Sequence, residues 1–263
     1  MIKLISRFLC ICALLCLMPQ ARAQVNGWHN NPRVFNDFST STLTINNSNT
    51  NPGTVSIDDR NLTDDGTGGN FANRHDVLAS GDSGASNLSR QIYQGFTIST
   101  TLTLTDGSNS PRKEAGIRLN SPVTGDALLI VNSDAGEIVA FGGGAPFHLF
   151  ASGAAGYVPG TPITLGMRYD PPGTAGTNAL ITYSVNYPTR GINTSFSDFF
   201  SNIEGGAVNY NFGVYTQVSP ANANDFVTAS FTGLTATLVP EPVSLGVAGL
   251  GAVLLLARRR SVR

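Results

Sequence analysis

Phe96-Thr97-Ile98-Ser99-Thr100-Thr101-Leu102-Thr103-Leu104 is the stretch on which the fold turns. Phe96, Ile98, Leu102 and Leu104 alternate with Thr97, Ser99, Thr101 and Thr103, so an extended chain sends one set to a core and the other to water. The same period of two recurs in Ile163-Leu165-Met167-Tyr169, in Ala179-Ile181-Tyr183-Val185-Tyr187 and in Phe212-Val214-Thr216-Val218. It returns in Val227-Ala229-Phe231 and Leu234-Ala236-Leu238, while Ala127 to Val131 is apolar throughout, as in a strand covered on both sides. Asp106-Gly107, Asp134-Ala135-Gly136 and Asp170-Pro171-Pro172-Gly173 punctuate these runs with turn chemistry. Strands at this spacing, with no helical period between them, predict an all-β antiparallel β-sandwich. Before about Gln91 the pattern is less regular. Leu43-Thr44-Ile45 and Val55-Ser56-Ile57 read as edge strands that complete the same sandwich.

The two ends differ from this body. Lys3 and Arg7 precede an apolar run, Phe8 to Leu17, which Pro19 ends before Ala21-Arg22-Ala23. That order predicts a signal helix over residues 1–23, cleaved after Ala23 at a site read from Ala21 and Ala23. Cys10, Cys12 and Cys16 are the only cysteines and all lie in this segment, so the mature chain is expected to hold no disulfide, Cys ligand or Cys nucleophile. At the far end, residues 239–263 read as a tail: Pro240-Glu241-Pro242, an apolar run from Val243 to Ala257, then Arg258, Arg259 and Arg260. At ~1.5 Å per residue the run spans about 22 Å, which snorkelling arginines extend towards the ~30 Å of a hydrocarbon core. A transmembrane helix is expected, with the arginines as a cytoplasmic stop.

The proline-glutamate-proline motif, the Gly-containing apolar run and the terminal arginines resemble the sorting tail of PEP-CTERM proteins. That resemblance implies a transient stay in the inner membrane and processing near the motif by exosortase, a membrane-embedded cysteine protease. It also implies delivery to the cell surface or the exopolysaccharide matrix of a Gram-negative bacterium. From Gly95 to Leu238 the strand order resembles concanavalin A-like (laminin G-like) jelly rolls. The pieces that carry this likeness are Ala115 to Leu119, Asp126 to Ile130, Ile163 to Tyr169 and Phe231.

Residues 24–238 form the expected sandwich domain. Between Gln24 and Val239 stand nine Lys or Arg and sixteen Asp or Glu, a net charge of −7, with Lys113 the single lysine. Such a body has no basic footprint for nucleic acid.

Candidate chemistry is sparse. Glycoside hydrolysis needs two carboxyls flanking the bond, whereas Glu114, Glu137 and Glu204 each stand alone in sequence. Gly81-Asp82-Ser83-Gly84 lacks a matching histidine pattern for a serine nucleophile, with only His29, His75 and His148 in the body, and reads as a polar turn. Asp58, Asp59, Asp64 and Asp65 offer oxygen ligands of the kind Ca2+ favours, without EF-hand spacing, and a solvated turn explains the same residues. Trp28, Tyr157 and Tyr215 are candidate stacking faces for sugar rings. The expected function is an exported surface or matrix component with a non-catalytic, carbohydrate-recognising sandwich. A hydrolase of extracellular polysaccharide with a site these patterns do not reveal, and a structural coat protein, are the alternatives.

Overall fold

The computed structural model describes residues 24–64, 66, 69, 71–91, 94–121, 125–171, 179–200 and 209–239. The expected leader with Ala21 and Ala23, the tail with Pro240, Glu241, Pro242, Arg258, Arg259 and Arg260, the acid Glu204 and the candidate ligand Asp65 lie outside these residues. Among the described residues no helix is long and apolar enough to cross a membrane.

The alternation in the sequence becomes two antiparallel sheets whose inner faces share one core. The first sheet runs β1 (Gly27–Asn36), β4 (Asn73–Ser80), β14 (Asn209–Val218), β7 (Lys113–Ser121), β8 (Gly125–Asn132), β9 (Ile138–Gly142) and β10 (His148–Ala151). The two-residue β5 (Arg90–Gln91) lies against β14. The second runs β13 (Ile192–Phe200), β12 (Ala179–Tyr187), β11 (Ile163–Asp170), β6 (Phe96–Asp106), β15 (Phe226–Leu238), β3 (Gly53–Arg60) and β2 (Thr42–Asn47). The non-consecutive neighbours are those of a jelly-roll-like sandwich.

Phe96, Ile98, Leu102, Leu104, Ile181, Tyr183 and Val185 all face the core, as the period of two requires. Phe96 stacks on Phe212 from the opposite sheet at 4.0 Å between ring centroids, joining the layers at their centre. The irregular N-terminal segment does complete the sandwich. It supplies β1 and β4 to one sheet and β2 and β3 to the other. One expectation is corrected here: β2 is an edge strand, but β3 is interior, between β15 and β2. Val55 and Ile57 point into the core while Thr54, Ser56 and Asp58 point out, so the short apolar run reflects one buried face rather than an edge position.

Asn51 ties the two ends of the body together. Its Nδ2 donates to the carbonyls of Val25 at 2.9 Å and Ala236 at 2.7 Å, and its Oδ1 accepts the Ala236 amide at 3.0 Å.

Candidate functional site

The outer face of the first sheet carries the densest polar cluster among the described residues. On β4 the core takes Val77 and Ala79, which leaves Arg74 and Asp76 outward. On β7 Ala115, Ile117 and Leu119 face in, and Glu114, Gly116 and Arg118 face out. On β14 Phe212 and Val214 face in and Tyr215 faces out. Register then sets these side chains beside one another: Tyr215 pairs with Asp76 on one side and Gly116 on the other.

Charges are paired throughout this cluster. Asp76, with no exposed side-chain surface, accepts Arg74 Nε at 3.0 Å and is also bonded by Arg118 Nη1. Arg118 Nη2 reaches Asp126 at 2.9 Å, and Arg74 lies 3.6 Å from the same carboxylate. The Arg74 guanidinium sits over the Tyr215 ring at 4.5 Å, a cation–π contact. Tyr215 Oη donates to Glu114 Oε1 at 3.0 Å, and Arg112 links Glu114 with Asp134 and Glu137. Glu114 and Glu137, solitary in sequence, are therefore members of one network in space.

Two local features make room for this. Gly116 and Gly213 lie so close to the neighbouring strands that an added Cβ would run into the Leu129 and Val77 carbonyls. With no side chain at either position, the Tyr215 ring and the Arg118 stem can lie flat on the sheet. Leu128, Ile130, Val139 and Phe141 then close over Tyr215, so β8 is apolar on both faces, as its continuous apolar run suggested.

The electrostatics follow from burial. Burial pushes the Glu114 carboxyl above its ordinary value, against the lowering pull of the Tyr215 hydroxyl and Arg112. Burial likewise holds the Tyr215 phenol well above its ordinary range, so it is a hydrogen-bond donor at neutral pH. Two buried guanidinium nitrogens, Arg74 Nη2 and Arg118 Nε, have no hydrogen-bond partner among the described residues. Arg112, Asp126, Asp134 and Glu137 are the members of the cluster that solvent reaches.

The residues singled out in sequence fall elsewhere. Trp28, Tyr157 and Tyr215 are all buried, and none presents a stacking face to solvent. Trp28 donates its indole N–H to Thr50, and the Tyr157 hydroxyl bonds Leu104 and Thr161 inside the core. Asp58 and Asp59 point to opposite faces of β3. Asp58 pairs with Arg60 outside, and Asp59 accepts from buried His75 Nε2 at 2.9 Å inside. His75 Nδ1 accepts the Arg33 amide, which fixes Nε2 as the protonated nitrogen. Asp64 accepts the Gly66 amide at 2.7 Å in a local turn. Asp58 and Asp59 thus cannot act on one ion, and among the described residues no group of three His, Cys, Asp or Glu is placed to hold a metal. Gly81-Asp82-Ser83-Gly84 is a polar turn in which Asp82 accepts from Ser80 and Ser86.

Arg74, Asp76 and Arg118 were missed in sequence. The signal available was Glu114-Ala115-Gly116-Ile117-Arg118-Leu119, where a strict alternation puts two charges of opposite sign on one face.

No protein-family model and no curated protein matches the sequence. Solved structures do match it in fold. The family 7 alginate lyase A1-II' bound to a substrate superposes with a TM-score of 0.54 at 12% identity, over 81% of this chain and 93% of that one. A second structure of A1-II' gives 0.53 at 12% identity, over 82% and 95%. An alginate lyase from Corynebacterium sp. gives 0.49 at 14% identity, over 82% and 95%. This likeness establishes the fold as an all-β jelly-roll-like sandwich. The expectation of a non-catalytic body is withdrawn, since solved sandwiches of this fold include alginate lyases; at 12% identity the likeness extends to the fold and not to an activity.

Proposed function

We propose that the chain is an exported enzyme that cleaves a polysaccharide lying across the outer face of the first sheet, with Glu114 as its proton-transfer group. The observation that carries this is the Glu114–Tyr215 pair: a buried carboxyl raised above its ordinary range, held by a neutral phenol 3.0 Å away, beside a partly exposed rim of polar groups. Breaking a glycosidic bond, whether by water or by elimination, needs a side chain that passes a proton at the bond, and it works best when its pKa approaches the working pH. Burial moves Glu114 in that direction. At the rim that solvent reaches, Arg112 supplies N–H groups of the kind that sugar carboxylate or hydroxyl oxygens accept. The alginate lyases with the same fold act on such a polymer, which supports the substrate class.

The leader and tail complete the proposal. Residues 1–23 direct export, and the apolar run after Pro240-Glu241-Pro242 halts the chain in the inner membrane with Arg258 to Arg260 inside. Exosortase acts near the motif and releases the body to the surface or the matrix, where polysaccharide is at hand.

The test is incubation of the purified protein with alginate, neutral glucans and exopolysaccharide of the producing organism. New reducing ends report cleavage, and ultraviolet absorbance of an unsaturated sugar end separates elimination from hydrolysis. Glu114→Gln should cut turnover by about 10²–10⁴-fold with the circular dichroism unchanged. A wild-type protein that releases no ends from any of these polymers would refute the enzymatic reading.

A further inference from the structure

A second polar cluster lies between the sheets, on the opposite side of β7 from Glu114. Lys113, at the start of β7, is 0% exposed, which is rare for lysine and costly unless its charge is matched. Its Nζ lies 2.6 Å from Asp225 Oδ2, where both side chains are 0% exposed, and it also donates to Ser108 and the Pro111 carbonyl. Asp225 precedes β15 in the other sheet, so this pair bridges the two layers. Its second oxygen, Oδ1, accepts the Phe226 amide at 2.9 Å. A third group, the carboxyl of Asp106 at the end of β6, lies on the same inward face of that strand as Leu102 and Leu104, and its cross-strand partner is Val227, two residues after Asp225. Asp106 Oδ2 is buried with no hydrogen-bond partner among the described residues.

An ordinary buried ion pair needs two groups. Here a third acid is held at the same place with one oxygen unused, in a body where no described residue is a cysteine. A lysine and an aspartate in enforced contact, shielded from water, with a second carboxyl beside them, are the components of an amide condensation.

We propose that Lys113 and Asp225 condense into an intramolecular isopeptide bond between Nζ and Cγ, with Asp106 as the proton relay. The ammonium first passes a proton to Asp225 Oδ2 across the 2.6 Å contact; this is the uphill step, because burial notwithstanding, hydrogen bonds from Ala221, Lys113, Ser108 and Phe226 hold that carboxyl below its ordinary value. The Nζ lone pair then attacks Cγ, and the carbonyl electrons move onto Oδ1, where the Phe226 amide stabilises them. Asp106 takes the excess proton from nitrogen and returns one to the departing hydroxyl. The C–N bond forms, the C–O bond breaks, one water leaves, and Asp106 ends as it began. Nothing is oxidised or reduced. Burial raises the Asp106 carboxyl above its ordinary value, the direction a proton relay needs. The resulting link would join the first sheet to the second across more than a hundred residues of chain, the role a disulfide plays in other exported proteins.

Mass spectrometry of the full-length protein, purified and denatured, tests this directly. The wild type should be lighter than a Lys113→Met variant of the same preparation by one water beyond the side-chain difference. A tryptic digest should yield a branched peptide joining Lys113–Arg118 to the segment that carries Asp225. Asp106→Asn keeps both reacting groups and should leave most of the protein unlinked. Recovery of the Lys113 peptide unbranched from the wild type would overturn the proposal, and that measurement needs no variant to fold. A water loss that persists in Lys113→Met would overturn it too, by placing the dehydration elsewhere. Full linkage in Asp106→Asn would remove the relay.

Discussion

Across the outer face of the second sheet run Thr97, Ser99, Thr101, Thr103 and Thr105 on β6, Thr164 on β11, and Thr182, Ser184 and Asn186 on β12. Their hydroxyls pair across strands, as Thr97 with Thr237 at 2.6 Å and Thr182 with Ser197 at 2.8 Å. Across the outer face of the first sheet, Arg74, Asp76, Glu114 and Arg118 are nearly or wholly shut off from water, and each is tied to a charged or phenolic partner of the same cluster. Both faces belong to the same sandwich and have the same register rules. A threonine array costs little to solvate, while burying four charges requires that each keep its partner. That contrast is why the proposed site is placed on the first sheet.

The contrast is most severely tested at Asp76. Asp76→Ala would leave the Arg74 and Arg118 guanidiniums buried with only Asp126 between them. A loss of about 3–5 kcal/mol is expected, read as a shift in the denaturation midpoint. A shift no larger than that of a surface substitution would mean that water enters this face freely.

A smaller effect is expected from pH. Glu114 is raised above its ordinary 4.5, so the folded state binds this proton more tightly than the unfolded chain does. Its contribution is free of cost below about 4.5, and stability is lost as pH rises from there through the folded value. Glu114→Gln should flatten that decline in a series of urea titrations. An unchanged pH slope would place the titration on another group.

The smallest effect belongs to the second sheet. Thr97→Ala removes one exposed hydroxyl bond and should change stability by no more than about 0.5 kcal/mol. It should also leave polysaccharide cleavage untouched. A marked loss of turnover would move the site to the other face.

The sandwich could be read from β6, β11 and β12 because each has one wet face and one dry face, which is what a period of two reports. The site could not be read in the same way. Asn73-Arg74-His75-Asp76-Val77-Leu78-Ala79-Ser80 is buried at every position, so its polar residues broke the pattern and the strand passed for irregular chain. Its partners, Glu114 on β7 and Tyr215 on β14, are brought alongside only by the crossovers of the sheet. Glu114 reads as an isolated acid until the Tyr215 hydroxyl is placed on it. Trp28 erred in the opposite direction: a lone tryptophan near a chain end suggests a binding platform, but its ring serves the core.

Asn51 gives the molecule a mechanical character as well. Because it grips Val25 and Ala236 at once, both strands of chain leaving the sandwich depart from a single knot. Loosening of either end of the body therefore reaches the same side chain, and its three hydrogen bonds are expected to open together.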